Sequence, residues 1–291
     1  MKNIGSVHIT NDILANEEFH IKKRFGQNFL VDKNILDKII KEAHISEQTD
    51  VIEIGPGFGA LTEGLVSQAR RVLAYEIDRD LIPILEKNFS DVHNLILVNQ
   101  DILACDIDAD IERYLPGSTE TIVVANLPYY ITTPILMRFL EDSKQVSSLF
   151  LMMQAEVADR VTSAPNTKAY GALSVVINYR AITKVLFSIP RSVFIPRPNV
   201  DSAVVMFTIR KEIEKRPTDE KKFLMFVHQC FSQRRKTLLN NLRQAFPNQT
   251  REALENHLIK CNLAVNIRAE SLTTAAFIML WQNLVSNNIK D

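Results

Sequence analysis

The stretch DVIEIGPGFGALTE (residues 50–63) joins a β-branched run to a loop with three closely spaced glycines, Gly55, Gly57 and Gly59. The run predicts a buried strand, and residues 60–69 predict a helix directly after it. Glycines at such a turn allow a tight bend and a close approach of a ligand to the backbone. Their spacing is GxGxG rather than the GxGxxG of dinucleotide-binding folds, so a purely structural turn remains an alternative for this loop taken alone.

Strand and helix patterns alternate around this loop, from residue 33 to about residue 208. The first helix is predicted at 32–43, with Asp32 as its N-cap. Further strands are predicted at 71–77, 95–101, 121–126, 148–154, 184–189 and 202–209. Apolar strands that alternate with helices predict an α/β fold, a Rossmann-like and mostly parallel sheet covered on both faces. The last two strands are expected to complete it with an antiparallel edge.

The pattern becomes wholly helical after residue 217. One long helix is predicted at 219–246, a second after Thr250 and a third from Ser271. This change predicts a Rossmann-like domain at 1–210 and a small C-terminal all-helical domain at 211–291.

Composition restricts the class of protein. The 291 residues are 46% hydrophobic, and no apolar stretch reaches the ~18 residues of a membrane span, so no membrane association is predicted. Three scattered cysteines form neither a disulfide framework nor a CxxC site, which favours a reducing, cytoplasmic setting. The six histidines show no metal-ligand spacing, so no metal is expected.

Charge is balanced overall but clustered locally. The 34 Lys and Arg residues equal the 34 Asp and Glu residues, so net charge indicates no partner. Local basic clusters occur at 22–24 and 234–236. Such clusters attract nucleic acid, although for any one cluster taken alone a solvated helix face is the favoured explanation.

Four consecutive strands end in residues that suit a nucleoside ligand: Gly55, Glu76, Asp101 and Asn126. Ligands of open α/β sheets bind outside the carboxyl ends of the strands, so these residues are expected to share one crevice. A carboxylate such as Glu76 can accept hydrogen bonds from both ribose hydroxyls, and Asp101 can accept from an adenine amine. NAD and S-adenosylmethionine both fit these features.

The segment NLPYY (residues 126–130) favours methyl transfer over hydride transfer. The side-chain oxygen of Asn126 and the carbonyl of Leu127 can accept both hydrogens of an adenine N6, which orients this weak nucleophile toward an electrophilic methyl group. Pro128 stiffens the turn, and Tyr129 offers a ring on which a base can stack. Hydride transfer would leave these residues without a role.

The chain resembles the ribosomal RNA adenine N6-dimethyltransferases, specifically the type that acts on small-subunit rRNA. Six blocks carry the resemblance over nearly the whole chain: KRFGQNFLVD (23–32), IEIGPGFGALT (52–62), YEID (75–78), NLPYYITTP (126–134), FIPRPNVDSAVV (194–205) and FSQRRKTLLNNL (231–242). The resemblance implies a Rossmann-like S-adenosylmethionine-dependent methyltransferase domain. It further implies dimethylation of two adjacent adenosines near the 3′ end of 16S rRNA, within a pre-30S subunit.

The resemblance also implies roles for individual residues. Asn28, Leu30, Gly55, Glu76, Asp101 and Asn126 would bind S-adenosyl-L-methionine, with Gln27 lying over it. Asn126, Leu127, Pro128 and Tyr129 would hold the target adenine, and Phe194 would form a second aromatic wall. Without the family, Phe194 reads as a core residue. The two basic clusters would contact rRNA, the second one from a helix, and the enzyme is expected to be a monomer.

Three alternatives remain. An Erm-type methyltransferase of large-subunit (23S) rRNA would share the fold and the pocket. A non-catalytic nucleic-acid-binding factor could be built on the same scaffold. An N6-adenine DNA methyltransferase would use a similar turn, but no DNA target-recognition domain is visible in the sequence.

Overall fold

A computed structural model describes residues 4–16, 22, 26–213 and 215–286. In this part of the chain the strands are β1 Phe29–Leu30, β2 Thr49–Ile54, β3 Arg71–Tyr75, β4 Leu95–Val98, β5 Glu120–Asn126, β6 Val146–Gln154, β7 Ala181–Ile189, β8 Phe194–Ile195 and β9 Ser202–Ile209. The helices are α1 Val7–Asn16, α2 Lys33–Glu42, α3 Ala60–Val66, α4 Ile82–Asn88, α5 Ile107–Tyr114, α6 Thr132–Asp142, α7 Ala155–Thr162, α8 Ala172–Arg180, α9 Glu220–Cys230, α10 Leu238–Ala245, α11 Arg251–Lys260 and α12 Thr274–Ser286.

Seven of these strands form one sheet in the order β4-β3-β2-β5-β6-β9-β7. The five from β2 to β6 are parallel to one another, and β9 pairs antiparallel with β6. The predicted mostly parallel sheet with a late antiparallel strand is therefore confirmed. The short strands β1 and β8 pair separately and bring Leu30 opposite Phe194.

Local sequence explains why α2 forms where it does. The Asp32 side chain accepts hydrogen bonds from the backbone N–H groups of Asn34 and Ile35, which confirms the predicted N-cap. The apolar face of α2 buries Leu36, Ile39 and Ile40 against the sheet, in one core cluster with β2, β3 and β5 residues. Burying side chains of this size stabilises the fold by about 1.5–3 kcal/mol each.

The long helix predicted at 219–246 is wrong, because the chain turns between α9 and α10. The buried side chain of Asn241 explains the turn. Its oxygen accepts from the Ser232 hydroxyl and the Gln233 N–H, and its nitrogen donates to the Cys230 carbonyl at 2.7 Å. These bonds satisfy backbone groups that a continuous helix would pair internally.

The predicted starts of the last two helices have different outcomes. The helix predicted after Thr250 is confirmed as α11, and the Thr250 hydroxyl accepts from Ala253 N–H and caps it. The start predicted at Ser271 is wrong, because Ser271 ends a short 3₁₀ turn and α12 begins only at Thr274. The Thr273 hydroxyl accepts from Ala276 N–H at that end instead.

Contacts divide the chain into two compact units, and the division differs from the predicted one in one segment. The first unit comprises residues 1–158 and 183–209, and the second comprises 159–182 and 210–291. Segment 159–182 groups with the C-terminal helices because Tyr170 donates a hydrogen bond to the Leu272 carbonyl at 2.7 Å and Tyr179 donates one to Glu220. The domain boundary at 210/211 stays a prediction.

In the described residues no helix is both long and apolar enough to cross a membrane.

Candidate active site

A cavity of about 1280 Å³, including its open mouth, lies at the carboxyl ends of the parallel strands. Its walls include Gly55 after β2, Glu76 after β3, Asp101 after β4 and Asn126 at the end of β5. The four predicted strand-end residues are thus brought together, as parallel strands that end at one edge of a sheet require.

The glycine loop leaves room for a ligand at one position and serves packing at another. Gly55 has φ +68°, and a Cβ atom there would meet nothing closer than the Asn126 carbonyl oxygen at 4.0 Å. At Gly59, with φ +95°, a Cβ atom would lie 2.3 Å from the Phe89 ring. Gly55 therefore forms an open cradle, whereas Gly59 allows the start of α3 to pack closely.

Glu76 is held rigidly at the cavity wall. One carboxylate oxygen accepts from Gly57 N–H at 3.2 Å and the other from Asp78 N–H at 2.8 Å. Asn99 donates to the Glu76 carbonyl at 2.7 Å and ties the ends of β3 and β4 together. Burial raises the pKa of Glu76 to about 7, because desolvation disfavours the charged form.

A second acid, Glu53, lines the cavity and was missed by the sequence reasoning. It is 1% exposed; one oxygen accepts from the Thr62 hydroxyl at 2.7 Å, and the other has no partner among the described residues. Burial raises its pKa to about 8. The signal was present in the quoted stretch, as a glutamate in the middle of an otherwise apolar strand.

Asp101 lies on the cavity wall, and one of its carboxylate oxygens already accepts a hydrogen bond within the protein. That oxygen accepts from Leu103 N–H at 3.0 Å and caps the 3₁₀ turn Ile102–Ala104. The cap fixes the orientation of the carboxylate of this cavity-lining residue. Capping and ligand binding are compatible here, since a carboxylate can accept about four hydrogen bonds.

The Asn126 amide is half-buried and lines the cavity. Its nitrogen donates to the Asn28 carbonyl at 3.3 Å, which turns its oxygen away from Asn28. Neither this oxygen nor the Leu127 carbonyl accepts a hydrogen bond from any residue that the structure describes. The Pro128 carbonyl accepts from Ile131 N–H and the Thr132 hydroxyl, both at 3.1 Å, so the turn that presents the two acceptors is closed.

Two aromatic side chains predicted to hold a base, Tyr129 and Phe194, also line the cavity. The Tyr129 hydroxyl lies 2.9 Å from the Ser202 hydroxyl at the start of β9, and this hydrogen bond restrains the position of the ring. Phe194 is 3% exposed and belongs to the sheet's core cluster, so it is a core residue as well as a wall of the cavity.

A short segment that we call the strap, residues 26–30, covers part of the cavity. Asn28 and Leu30 lie in it, and the Asn28 side chain donates to the Gly26 carbonyl at 2.9 Å. Phe29 stacks on Phe58 of the glycine loop with ring centroids 4.1 Å apart. Sequence reasoning missed this stack, because it joins residues 29 positions apart and neither ring stands in a polar motif.

The structure changes the interpretation of the basic clusters. Lys22 pairs with Asp78 and Asp80, while Lys23 and Arg24 lie outside the described residues. The second cluster lies in the turn between α9 and α10, so its predicted place on a helix is wrong. Arg234 is held by Glu270 and the Lys168 carbonyl. Near it, an exposed polar depression is lined by Gln233, Lys236, Asn240, Arg243 and Gln244.

The described residues contain no group of three or more His, Cys, Asp and Glu side chains that could hold a metal ion. Cys105, Cys230 and Cys261 are buried free thiols.

Comparisons with known proteins identify relatives over nearly the whole chain. The ribosomal RNA small subunit methyltransferase A of Streptococcus gordonii is 47% identical over 288 residues, covering 98% of this chain and 99% of that protein. A dimethyladenosine transferase from Plasmodium falciparum has a similar structure, with TM-score 0.75, 24% identity and coverage of 89% and 98% of the two chains. The 23S rRNA methyltransferase ErmE also shares the fold, with TM-score 0.68, 24% identity and coverage of 88% and 99%.

A family profile described as ribosomal RNA adenine dimethylase matches residues 18–281. The match includes the glycine loop, the four strand ends and the NLPYY turn that form the cavity. The chain belongs to the ribosomal RNA adenine dimethylase family.

Proposed function

We propose that this chain transfers methyl groups from S-adenosyl-L-methionine to N6 of two adjacent adenosines near the 3′ end of 16S rRNA, forming N6,N6-dimethyladenosines during assembly of the 30S subunit. One observation carries the proposal: Asn126 and Leu127 line a cavity beside the glycine loop, and no described residue hydrogen-bonds to the Asn126 side-chain oxygen or to the Leu127 carbonyl. Two adjacent acceptors match the two hydrogens of an adenine amine.

The cavity fits S-adenosylmethionine. The open space at Gly55 is a cradle that a Cβ atom would partly fill, and the unpaired buried oxygen of Glu53 is a polar group suited to the methionine end of this ligand. Glu76 would accept from the ribose hydroxyls and Asp101 from the adenine amine, with Asn28 and Leu30 above. The bound cofactor supplies a methyl group that is electrophilic because it is attached to a positive sulfur.

The protein's part in the reaction is to orient the target nitrogen. Asn126 and Leu127 would hold both N6 hydrogens, so that the lone pair points at the methyl carbon. Tyr129 and Phe194 would hold the base between rings, and stacking on an aromatic ring contributes about 1–3 kcal/mol. The bond from N6 to the methyl carbon would form as the bond from that carbon to sulfur breaks; S-adenosylhomocysteine would leave with the electron pair of the broken bond, and the N6 proton would then pass to solvent. The described cavity needs no charged base for this step.

The substrate is proposed to be rRNA within a pre-30S subunit, contacted through phosphates, 2′-hydroxyls and shape. The target adenosine must leave its stack to reach the cavity, at a cost of a few kcal/mol. The exposed depression with Lys236 and Arg243 is a candidate phosphate contact in the second unit. We further propose that the enzyme is monomeric, metal-free and cytoplasmic.

Two other functions are less well supported. The 23S rRNA methyltransferase ErmE has the same fold, so the fold does not distinguish activity on 23S rRNA from activity on 16S rRNA. The 47% identity to a small-subunit methyltransferase favours 16S rRNA. A non-catalytic factor would not need an oriented pair of acceptors at the NLPYY turn.

The test is incubation with labelled S-adenosylmethionine and 30S subunits from a strain that lacks the modification, followed by mapping of the label. Dimethyladenosine at two adjacent 3′-terminal positions of 16S rRNA is expected. Label only on naked 23S rRNA, offered in parallel, would support the Erm-type activity. Binding to 30S subunits without label transfer would support a non-catalytic factor.

A further inference from the structure

A buried acid that the proposed mechanism does not use, Asp78, lies two residues after Glu76 and is 1% exposed. One carboxylate oxygen accepts from Lys22 Nζ at 2.5 Å and from Asp80 N–H at 3.2 Å. The other accepts from Gln27 Nε2 at 3.0 Å. Asp78 therefore joins the loop after β3 to residues that precede and begin the strap.

Asp78 also orients Glu76, one of the acids that line the cavity. The Asp78 N–H donates to a Glu76 carboxylate oxygen at 2.8 Å, so its main chain orients Glu76 while its side chain binds the strap. Gln27 is oriented in turn, since its oxygen accepts from Lys22 N–H at 2.9 Å. Only one arrangement of the Gln27 amide satisfies both bonds, with nitrogen toward Asp78 and oxygen toward Lys22.

The strap continues from Gln27 into the cavity wall. Asn28 accepts a hydrogen bond from Asn126, and Phe29 stacks on Phe58 of the glycine loop. A displacement of Gln27 would therefore also move Asn28 and Phe29, which contact the residues proposed to bind the cofactor. Asp78 itself is not part of the cavity lining, so it would act through these neighbours.

We propose that Asp78 is a positioning residue that couples closure of the strap over the cofactor to the orientation of Glu76 toward the cofactor's ribose. This inference rests on the proposed cofactor site. With the strap in place, Lys22 and Gln27 donate hydrogen bonds to the buried Asp78 carboxylate. When the strap lifts, water can replace them as donors. Hydrogen bonds to a charged group contribute only about 1.5–3 kcal/mol net relative to water, a cost small enough for a cover that must open for every exchange of cofactor.

Asp78 is bound by both Lys22 and Gln27, so the arrangement is more than a simple ion pair. We call these three residues the clamp. Lys22 bridges Asp78 and Asp80, both at 2.5 Å, but Asp80 is about half exposed. No described hydrogen bond joins Asp80 to Gln27 or to Glu76. The Asp80 backbone N–H donates to Asp78, and replacing the Asp80 side chain leaves that bond in place. Asp80→Asn thus makes the same change of charge beside the same lysine without altering the Asp78 carboxylate or its bond from Gln27.

The test is Asp78→Asn in the full chain, with Asp80→Asn as the matched control. Calorimetric binding of S-adenosylhomocysteine is expected to weaken about tenfold or more in Asp78→Asn, because charged hydrogen bonds are lost, and less than about twofold in Asp80→Asn. The dissociation rate of the ligand should rise in parallel. The KM for 30S subunits, and kcat at saturating cofactor, should each change less than about threefold.

Coupling is tested with Gln27→Ala and the Gln27→Ala/Asp78→Asn double variant. If the clamp is one unit, the double variant binds S-adenosylhomocysteine as weakly as the weaker single variant. Additive losses, or a fall in kcat with unchanged ligand binding, would overturn the proposal. If Asp78→Asn does not fold, Gln27→Ala alone must still raise the dissociation rate. Ligand binding requires no methyl transfer, so a chain that binds but methylates nothing would contradict only the proposed function.

Discussion

Replacement of Asn126 by alanine tests how the target nitrogen is held. The substitution removes two interactions of different kinds. The amide nitrogen loses its bond to the Asn28 carbonyl, which at 3.3 Å is long and joins neutral groups. Such a bond contributes about 1 kcal/mol net, equivalent to about fivefold in an equilibrium constant. Through the strap, cofactor affinity should therefore fall no more than about fivefold.

The loss of the amide oxygen has a larger effect on turnover. Removing one pre-oriented polar group that acts on the reacting atoms typically lowers kcat by about 100- to 1000-fold. We therefore expect Asn126→Ala to reduce kcat at least about tenfold more than it reduces cofactor affinity. Single-turnover label transfer to unmethylated 30S subunits measures the first, and calorimetry with S-adenosylhomocysteine measures the second.

A matched variant should give the opposite pattern. Asn99→Ala removes an amide at the neighbouring strand end that donates to the Glu76 carbonyl at 2.7 Å but is not proposed to touch the target base. It should weaken cofactor binding and leave kcat at saturating cofactor nearly unchanged. Equal losses of affinity and turnover in Asn126→Ala would refute the assigned role.

Four further predictions concern the pH dependence, the aromatic wall, the glycine loop and the RNA contact. Burial raises the pKa of Glu76 to about 7, so its ionised fraction rises about tenfold between pH 6 and pH 8. Cofactor affinity measured by calorimetry should rise by up to about tenfold through this group, and Glu76→Gln should remove that part of the rise while leaving the part due to Glu53, whose pKa burial raises to about 8. Tyr129→Phe should keep kcat/KM for 30S subunits within about threefold, whereas Tyr129→Ala should lower it by the ~1–3 kcal/mol of lost stacking. Gly59→Ala should lower the free energy of urea unfolding by more than about 1 kcal/mol, because its Cβ would lie 2.3 Å from the Phe89 ring at a φ of +95°. Lys236→Ala should weaken 30S binding and flatten its salt dependence without affecting S-adenosylhomocysteine binding; an unchanged salt slope would remove Lys236 from the contact surface.

Much of the catalytic framework was predictable because it depends on short-range patterns. Apolar runs separated by helical periods require a parallel sheet, and the residues that end successive strands must then meet at one edge. Asn126 and Glu76 could be placed together in this way without any knowledge of side-chain contacts. The same reasoning placed β9 as an antiparallel strand of the sheet.

Helix continuity was not predictable in the same way. Residues 219–246 have the local pattern of one helix, and the chain turns because the Asn241 side chain offers buried hydrogen bonds to residues eight to eleven positions earlier. Local propensity is a weak term of a few tenths of a kcal/mol per residue, which such contacts outweigh. The basic cluster at 234–236 lies in a turn rather than on a helix because of the hydrogen bonds of the Asn241 side chain.

The amino-acid sequence alone determined the succession of the five parallel strands and the set of polar groups at their ends, since both follow from periodicity and chain connectivity. Only the tertiary structure decided which of these groups are already hydrogen-bonded, how Asp78 joins the strap to Glu76, and that Phe194 serves both the core and the cavity. Such features include contacts between residues far apart in the chain, as between Gln27 and Asp78, which are 51 positions apart. Their burial and partners are set by packing that no local pattern records.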